Sequence, residues 1–169
     1  MTSPLQGILG IEELPIENKR VFLRVDFNVP LDGGTITDDS RIKEALPTIR
    51  HALERGARLV CASHLGRPKK GPDPKYSLEP CAARLAELLG QDVTLPEDCV
   101  GDAAKKVVFD LRAGQVCLLT ARLSDYQKRT GMVGHDLEDF VRLCLCLRGV
   151  CFQEPRGMGQ RCGQGSNRF

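Results

Sequence analysis

The chain has 169 residues, of which 41% are hydrophobic and 27% charged, with a formal net charge of +2. That length suggests one domain with a real core, and the small charge argues against nucleic acid or a membrane surface as a general partner. No apolar run is long enough to span a bilayer, and residues 1–7 show neither a basic nor an apolar leader region, so a cytoplasmic location is expected.

The first element is the apolar run at residues 21–25, Val-Phe-Leu-Arg-Val, which reads as a buried strand. It is expected to end at Asp26-Phe-Asn-Val-Pro30, where Pro30 stops ladder pairing. Asp32-Gly33-Gly34 is a turn signal. The side-chain oxygens of Asp38, Asp39 and Ser40 are placed to cap a helix running towards Arg55. Pro47 is expected to kink or restart that helix, and Gly56 to close it. Residues 58–63 read as a second strand, followed by a loop crowded with breakers from His64 onward. Residues 78–89 predict a helix with apolar positions 78, 81, 85, 88 and 89 on one face and Gly90 just past its end. A short strand near Val93, a helix over 101–108, a turn at Ala113-Gly114 and a strand over 116–119 follow.

Strands alternating with helices imply βαβ units and a Rossmann-like α/β fold, a parallel sheet with flanking helices. Ligands of such sheets sit outside the carboxyl ends of the strands. Residues 26–28 and 64–67, which follow the first two clear strands, are therefore expected on one rim.

Past Leu119 the pattern stops. Residues 1–119 carry 16 Lys+Arg against 17 Asp+Glu, whereas residues 120–169 carry 8 against 5. All six isoleucines precede residue 50, and the last 50 residues hold seven arginines, seven glycines and four of the eight cysteines. Residues 136–147 read equally as helix or strand, and the stretch 155–169 has little to bury and is expected to be disordered. The expected division is thus 1–119 as one partial domain and 120–169 as a disordered or frame-shifted tail. Cys61 and Cys117 lie inside apolar runs, which fits buried reduced thiols better than a disulfide framework.

The expected rim gathers Asp26, Asn28, His64 and Arg67, with Arg41 one turn into the following helix. Two guanidiniums and an imidazole beside a hydroxyl-binding Asp/Asn pair suit a small anionic hydroxy acid or sugar phosphate. Each residue also has a plain structural reading: Asp26 and Asn28 as loop caps, and Arg41 as a solvated helix residue.

Three segments carry a resemblance. Val25-Asp-Phe-Asn-Val-Pro30, Asp39-Ser-Arg-Ile42 and Ser63-His-Leu-Gly-Arg-Pro68 resemble successive motifs of phosphoglycerate kinases, in order and spacing. The stretch from Ser77 to Gly90, Asp98-Cys-Val-Gly-Asp102 and Gly114-Gln-Val-Cys-Leu-Leu119 extend the likeness to about residues 8–119. The resemblance implies the incomplete N-terminal domain of a two-domain kinase, expected to act as a monomer. That kinase moves a phosphoryl group reversibly from 1,3-bisphosphoglycerate to ADP, giving 3-phosphoglycerate and ATP.

By resemblance, Asp26, Phe27 and Asn28 lie at the hydroxyl end of 3-phosphoglycerate. His64 and Arg67 hold its phosphate, helped by backbone groups of Leu65 and Gly66. Arg41 is the catalytic cation, reaching the reacting carboxylate and offsetting transition-state charge.

The family's following motif, Glu-Asn-x-Arg-Phe, is replaced in this chain by Thr120-Ala-Arg-Leu-Ser124, which leaves Arg122 out of register. The family's Mg-ATP or Mg-ADP is expected to find no residues of this chain, because the Gly-Gly-x-Lys and Gly-Gly-Gly-Asp motifs are missing and the only Gly-Gly is Gly33-Gly34. The expected reading is an enzyme fragment inactive alone. The alternative is a catalytically silent remnant or small anionic-metabolite-binding protein. Rival signals are weaker: Gly157-Met-Gly-Gln-Arg-Cys162 lacks the third glycine of a dinucleotide fingerprint, and Cys144, Cys146, Cys151 and Cys162 lack zinc-knuckle spacing.

Overall fold

The computed structural model describes residues 10–66, 74–97 and 101–120. The loop from Arg67 and the readings made for the tail beyond Thr120 lie outside the described residues. The described residues form six strands and three α-helices: β1 (Arg20–Arg24), β2 (Leu31–Asp32), β3 (Thr35–Ile36), α1 (Ser40–Glu54), β4 (Arg58–Ser63), α2 (Glu79–Leu89), β5 (Val93–Thr94), α3 (Asp102–Asp110) and β6 (Val116–Thr120). Short 3-10 turns at Ile11–Glu13 and Pro74–Tyr76 complete the described chain.

The main sheet is parallel, in the order β1-β4-β6-β5. Its register aligns Val21 with Leu59 and Val116, and Leu23 with Cys61 and Leu118. These residues share one core with Ile42, Ile49 and Ala52 of α1 and with Cys81, Ala82 and Leu85 of α2. The alternate residues Phe22, Val60, Ala62, Cys117 and Leu119 point to the other face and are equally buried. There α3 packs on β6 and buries Ala104 and Val108. Burial on both faces explains why these strands read as unbroken apolar runs.

Cys61, Cys81 and Cys117 are free and buried, as the apolar surroundings in the sequence imply. Cys61 and Cys117 lie on opposite faces of the sheet, so no disulfide joins them. Burial pushes the Cys81 thiol up to about 11 and the Cys117 thiol up to about 12.

Three local features depart from the sequence reading. Helix α1 runs through Pro47 without restarting. Proline removes the hydrogen bond to the carbonyl of Lys43, but both residues are exposed, so water can take that carbonyl. Of the residues expected to cap α1, Asp39 makes no side-chain cap, while the Asp38 carboxylate accepts the N–H of Ser40, the first helical residue, at 2.9 Å. The turn at Gly33-Gly34 is flanked by a hairpin of two-residue strands, β2 and β3, too short to show a period. Both glycines have positive φ, 55° and 87°, the conformation a tight hairpin turn demands.

At the opposite end from the rim, the Arg20 side chain donates to the carbonyls of Val108 and Phe109 at 3.2 and 3.3 Å. Its guanidinium also lies 4.7 Å from the centre of the Phe109 ring. A cation is thus placed at the carboxyl end of α3, where the helix dipole favours one.

Candidate functional site

Beyond β1 and β4 the backbone stays extended and close. The Val25 N–H donates to the Ala62 carbonyl at 2.9 Å, one rung past the end of β1. Alternation then sends Val25, Phe27 and Val29 into the core and leaves Arg24, Asp26 and Asn28 exposed.

The two strand ends are stitched together by side chains. The Phe27 N–H donates to Ser63 Oγ at 2.9 Å, and the Ser63 hydroxyl donates to the His64 carbonyl at 3.3 Å. The Gly66 N–H donates to Asn28 Oδ1 at 2.9 Å. The Asn28 N–H donates to Asp26 Oδ1 at 3.2 Å. From below, the Cys81 thiol donates to the Phe27 carbonyl at 3.6 Å. Arg41, on the first turn of α1, donates from Nη1 to Asp26 Oδ2.

The structure therefore brings Asp26, Asn28, Arg41 and Gly66 into one bonded group, with His64 two residues before Gly66 and partly exposed. Phe27 and Leu65 are placed differently from their neighbours. The Phe27 side chain is 0% exposed and its N–H and carbonyl are both engaged; Leu65 is buried as well. Their side chains build the floor of the rim. Arg67 lies outside the described residues.

Two contributors to this site were not among the expected site residues. Ser63 is buried, and its hydroxyl serves the backbone of both loops. Arg24 is the exposed last residue of β1 and lies on the same side of the strand as Asp26, adding a cation to the rim. The signal for it is period two: residues 24, 26 and 28 share one side of an extended chain.

Asp39 holds the start of α1 in place. Its carboxylate pairs with Lys43 at 2.9 Å and with Arg84 of α2 at 2.8 Å. The Arg84 side chain also reaches Glu87 at 2.6 Å. This ties α1 to α2 two residues before Arg41. The hydrogen bonds from Lys43 and Arg84 hold the Asp39 carboxyl below its ordinary value of 3.8. The folded state therefore binds fewer protons at Asp39 than the unfolded state does. The stabilisation is present above the ordinary value and is lost as pH falls through the lowered one. Asp39→Asn is expected to flatten the acid limb of a urea-midpoint-against-pH curve below about pH 4. An acid limb identical to that of the unsubstituted chain would contradict the ion pair.

Chemically, the rim offers a half-exposed carboxylate, a carboxamide and an imidazole on two adjacent loops, and a guanidinium from the first turn of α1. That set can bind hydroxyl groups and anions. It does not fit a divalent cation, since the Asp26 carboxylate already faces Arg41. Among the described residues no group of three His, Cys, Asp or Glu gathers for a metal. Gly33-Gly34 serves the hairpin turn. Also among the described residues, no helix is long and apolar enough to cross a membrane.

In α/β parallel sheets, ligands sit at the carboxyl ends of the strands, where this rim lies. Comparison with known proteins narrows the reading. The sequence model of the family described as Phosphoglycerate kinase matches residues 11–127, and the chain belongs to that family. The match continues past Leu119 and Thr120.

The chain is similar to a phosphoglycerate kinase of Anaeromyxobacter sp. (strain K), with 61% identity over 112 residues, covering 64% of this chain and 28% of the relative. It is also similar to one of Fervidobacterium nodosum, with 50% identity over 111 residues, covering 66% of this chain and 28% of the relative. Among solved structures, the phosphoglycerate kinase of Pyrococcus horikoshii OT3 superposes with a TM-score of 0.59 at 41% identity, covering 64% of this chain and 26% of that one. The enzyme of Coxiella burnetii gives 0.57 at 37% identity, covering 68% and 28%. The chain thus spans little more than a quarter of the length of these proteins.

Proposed function

We propose that the rim beyond β1 and β4 is the 3-phosphoglycerate site of a phosphoglycerate kinase. The whole enzyme would transfer a phosphoryl group reversibly between 1,3-bisphosphoglycerate and ADP, and this chain would supply one substrate's cradle. The observation that supports this best is the bonded group of Asp26, Asn28, Arg41 and Gly66 at the carboxyl ends of two parallel strands.

In this reading the Asp26 carboxylate and the Asn28 amide take the hydroxyl end of the ligand. His64, Arg67 and the backbone at Leu65 and Gly66 receive its phosphate. Arg41 leaves Asp26 to meet the ligand carboxylate, exchanging one charge-assisted contact for another. Its charge then offsets the negative charge that develops on that group during transfer. Mg-ATP or Mg-ADP would bind to residues other than these.

Titration of the labelled chain with 3-phosphoglycerate, followed by chemical shift, tests the site. Arg41→Ala and Arg67→Ala are each expected to raise Kd about 10- to 100-fold, the worth of one charge-assisted contact. Unchanged Kd in both variants would remove the assignment. A binding-only role for small anionic metabolites uses the same rim, and turnover by the chain distinguishes it.

We further propose that the change in composition after Leu119 marks a shifted reading frame. The support is the loss of periodic apolar pattern together with the gain in Arg, Gly and Cys. Resequencing the gene is expected to find an inserted or deleted base near codon 119, after which Glu-Asn-x-Arg-Phe reappears. An intact frame would refute the shift.

A further inference from the structure

Gly66 is held from two directions. Its N–H is bonded to Asn28 Oδ1 at 2.9 Å, and its φ is 61°, in the left-handed region that other residues seldom occupy. On its other side lies Tyr76. A Cβ placed on Gly66 would fall 2.1 Å from Tyr76 Cδ1 and 2.3 Å from Cε1, far inside van der Waals contact. The tyrosine ring therefore occupies the space that a side chain at position 66 would need. It rests directly on the backbone of the rim.

Tyr76 is well placed to stay there. It ends the 3-10 turn Pro74–Tyr76, and the next residue, Ser77, accepts the Glu79 N–H at 3.2 Å where α2 begins. The ring is partly buried, and Leu78, two residues on, is core. The tyrosine is thus anchored by helix α2, while its ring reaches the loop beyond β4.

We infer that Tyr76 is a positioning residue of the substrate rim, its ring pressing Gly66 into the geometry that aims the Gly66 N–H at Asn28. It acts through the Gly66 backbone and the Asn28 amide. In this role the ring matters and the hydroxyl does not. The inference rests on the 3-phosphoglycerate reading for its consequence on binding. Its structural half, the grip on Gly66, is measurable without ligand.

Two measurements test it on the full chain. In the unsubstituted protein, a Gly66 Hα proton should be displaced from its ordinary position by the ring current of Tyr76. Tyr76→Phe should keep that displacement and the Gly66 amide shift, whereas Tyr76→Leu should lose both. The leucine variant should also bind 3-phosphoglycerate about tenfold more weakly, the worth of one hydrogen bond, while the phenylalanine variant matches the parent.

A Gly66 Hα at its ordinary position in the parent overturns the inference, and this holds whether or not Tyr76→Leu folds. So does a Tyr76→Phe variant as weakened as Tyr76→Leu, since the hydroxyl would then be the active group. Absence of 3-phosphoglycerate binding by the parent would overturn the substrate reading, and with it the binding half of the inference. The ring-current displacement would still decide the grip on Gly66.

Discussion

Phe27→Ala is expected to destabilise the chain by about 3–5 kcal/mol, the usual cost of deleting a buried phenylalanine ring. The ring is fully buried in the core that α1 and α2 share with the sheet. The Phe27 backbone is held by Ser63 and Cys81, which limits collapse into the space left behind, so little of the cavity term is recovered. Domains of this size are stable by roughly 5–15 kcal/mol, so the variant would lose a large part of its margin. The loss should be read as a drop in the urea midpoint at unchanged m-value. Asn28→Ala, on the neighbouring outward-facing residue, removes a single exposed hydrogen bond and should cost about 1 kcal/mol or less. It should nevertheless move the Gly66 amide resonance, because Asn28 Oδ1 is that amide's acceptor. A Phe27→Ala midpoint equal to that of Asn28→Ala would mean that the ring does not hold the rim to the core.

That contrast also explains how far the sequence could be read. Strands β1, β4 and β6 were legible because each is a run of apolar residues buried on both faces, α2 because its apolar positions repeat on one side, and α1 because polar residues 38–40 and Gly56 mark its ends. The hairpin strands β2 and β3 have two residues each, which is shorter than any period, so only their turn was visible. The rim residues were legible as a group because their motifs resemble a known series. The separate fates of Asp26, Phe27 and Asn28 follow from alternation once the strand is extended. Pairings that join distant segments were not legible. Ser63 serves Phe27 across 36 positions of sequence, and Arg84 serves Asp39 across 45. Asp39 beside Asp38 and Ser40 looked like a helix cap because capping is the local use of that residue type. A tertiary partner, Arg84, took the carboxylate instead.

Supplied with Mg-ATP and 3-phosphoglycerate, the 169-residue chain by itself is expected to show no turnover above an enzyme-free control. In the proposed reading the rim offers groups for one reactant. These 169 residues contain neither the Gly-Gly-x-Lys nor the Gly-Gly-Gly-Asp motif of the family, and Gly33-Gly34 is committed to a hairpin turn. Holding both reactants in line supplies roughly 7–11 kcal/mol of a two-substrate barrier, and a chain that orients only one of them forgoes that contribution. Arg41 still offers charge to a carboxylate, but electrostatic stabilisation acts on a transition state only where that state can assemble. A coupled assay measures this directly, using protein from a host whose own phosphoglycerate kinase has been deleted. Turnover that disappears on Arg41→Ala would belong to this chain and would overturn the expectation. Turnover indifferent to Arg41→Ala would come from a contaminant, because the substitution removes the one cation that the proposed mechanism brings to the reacting group.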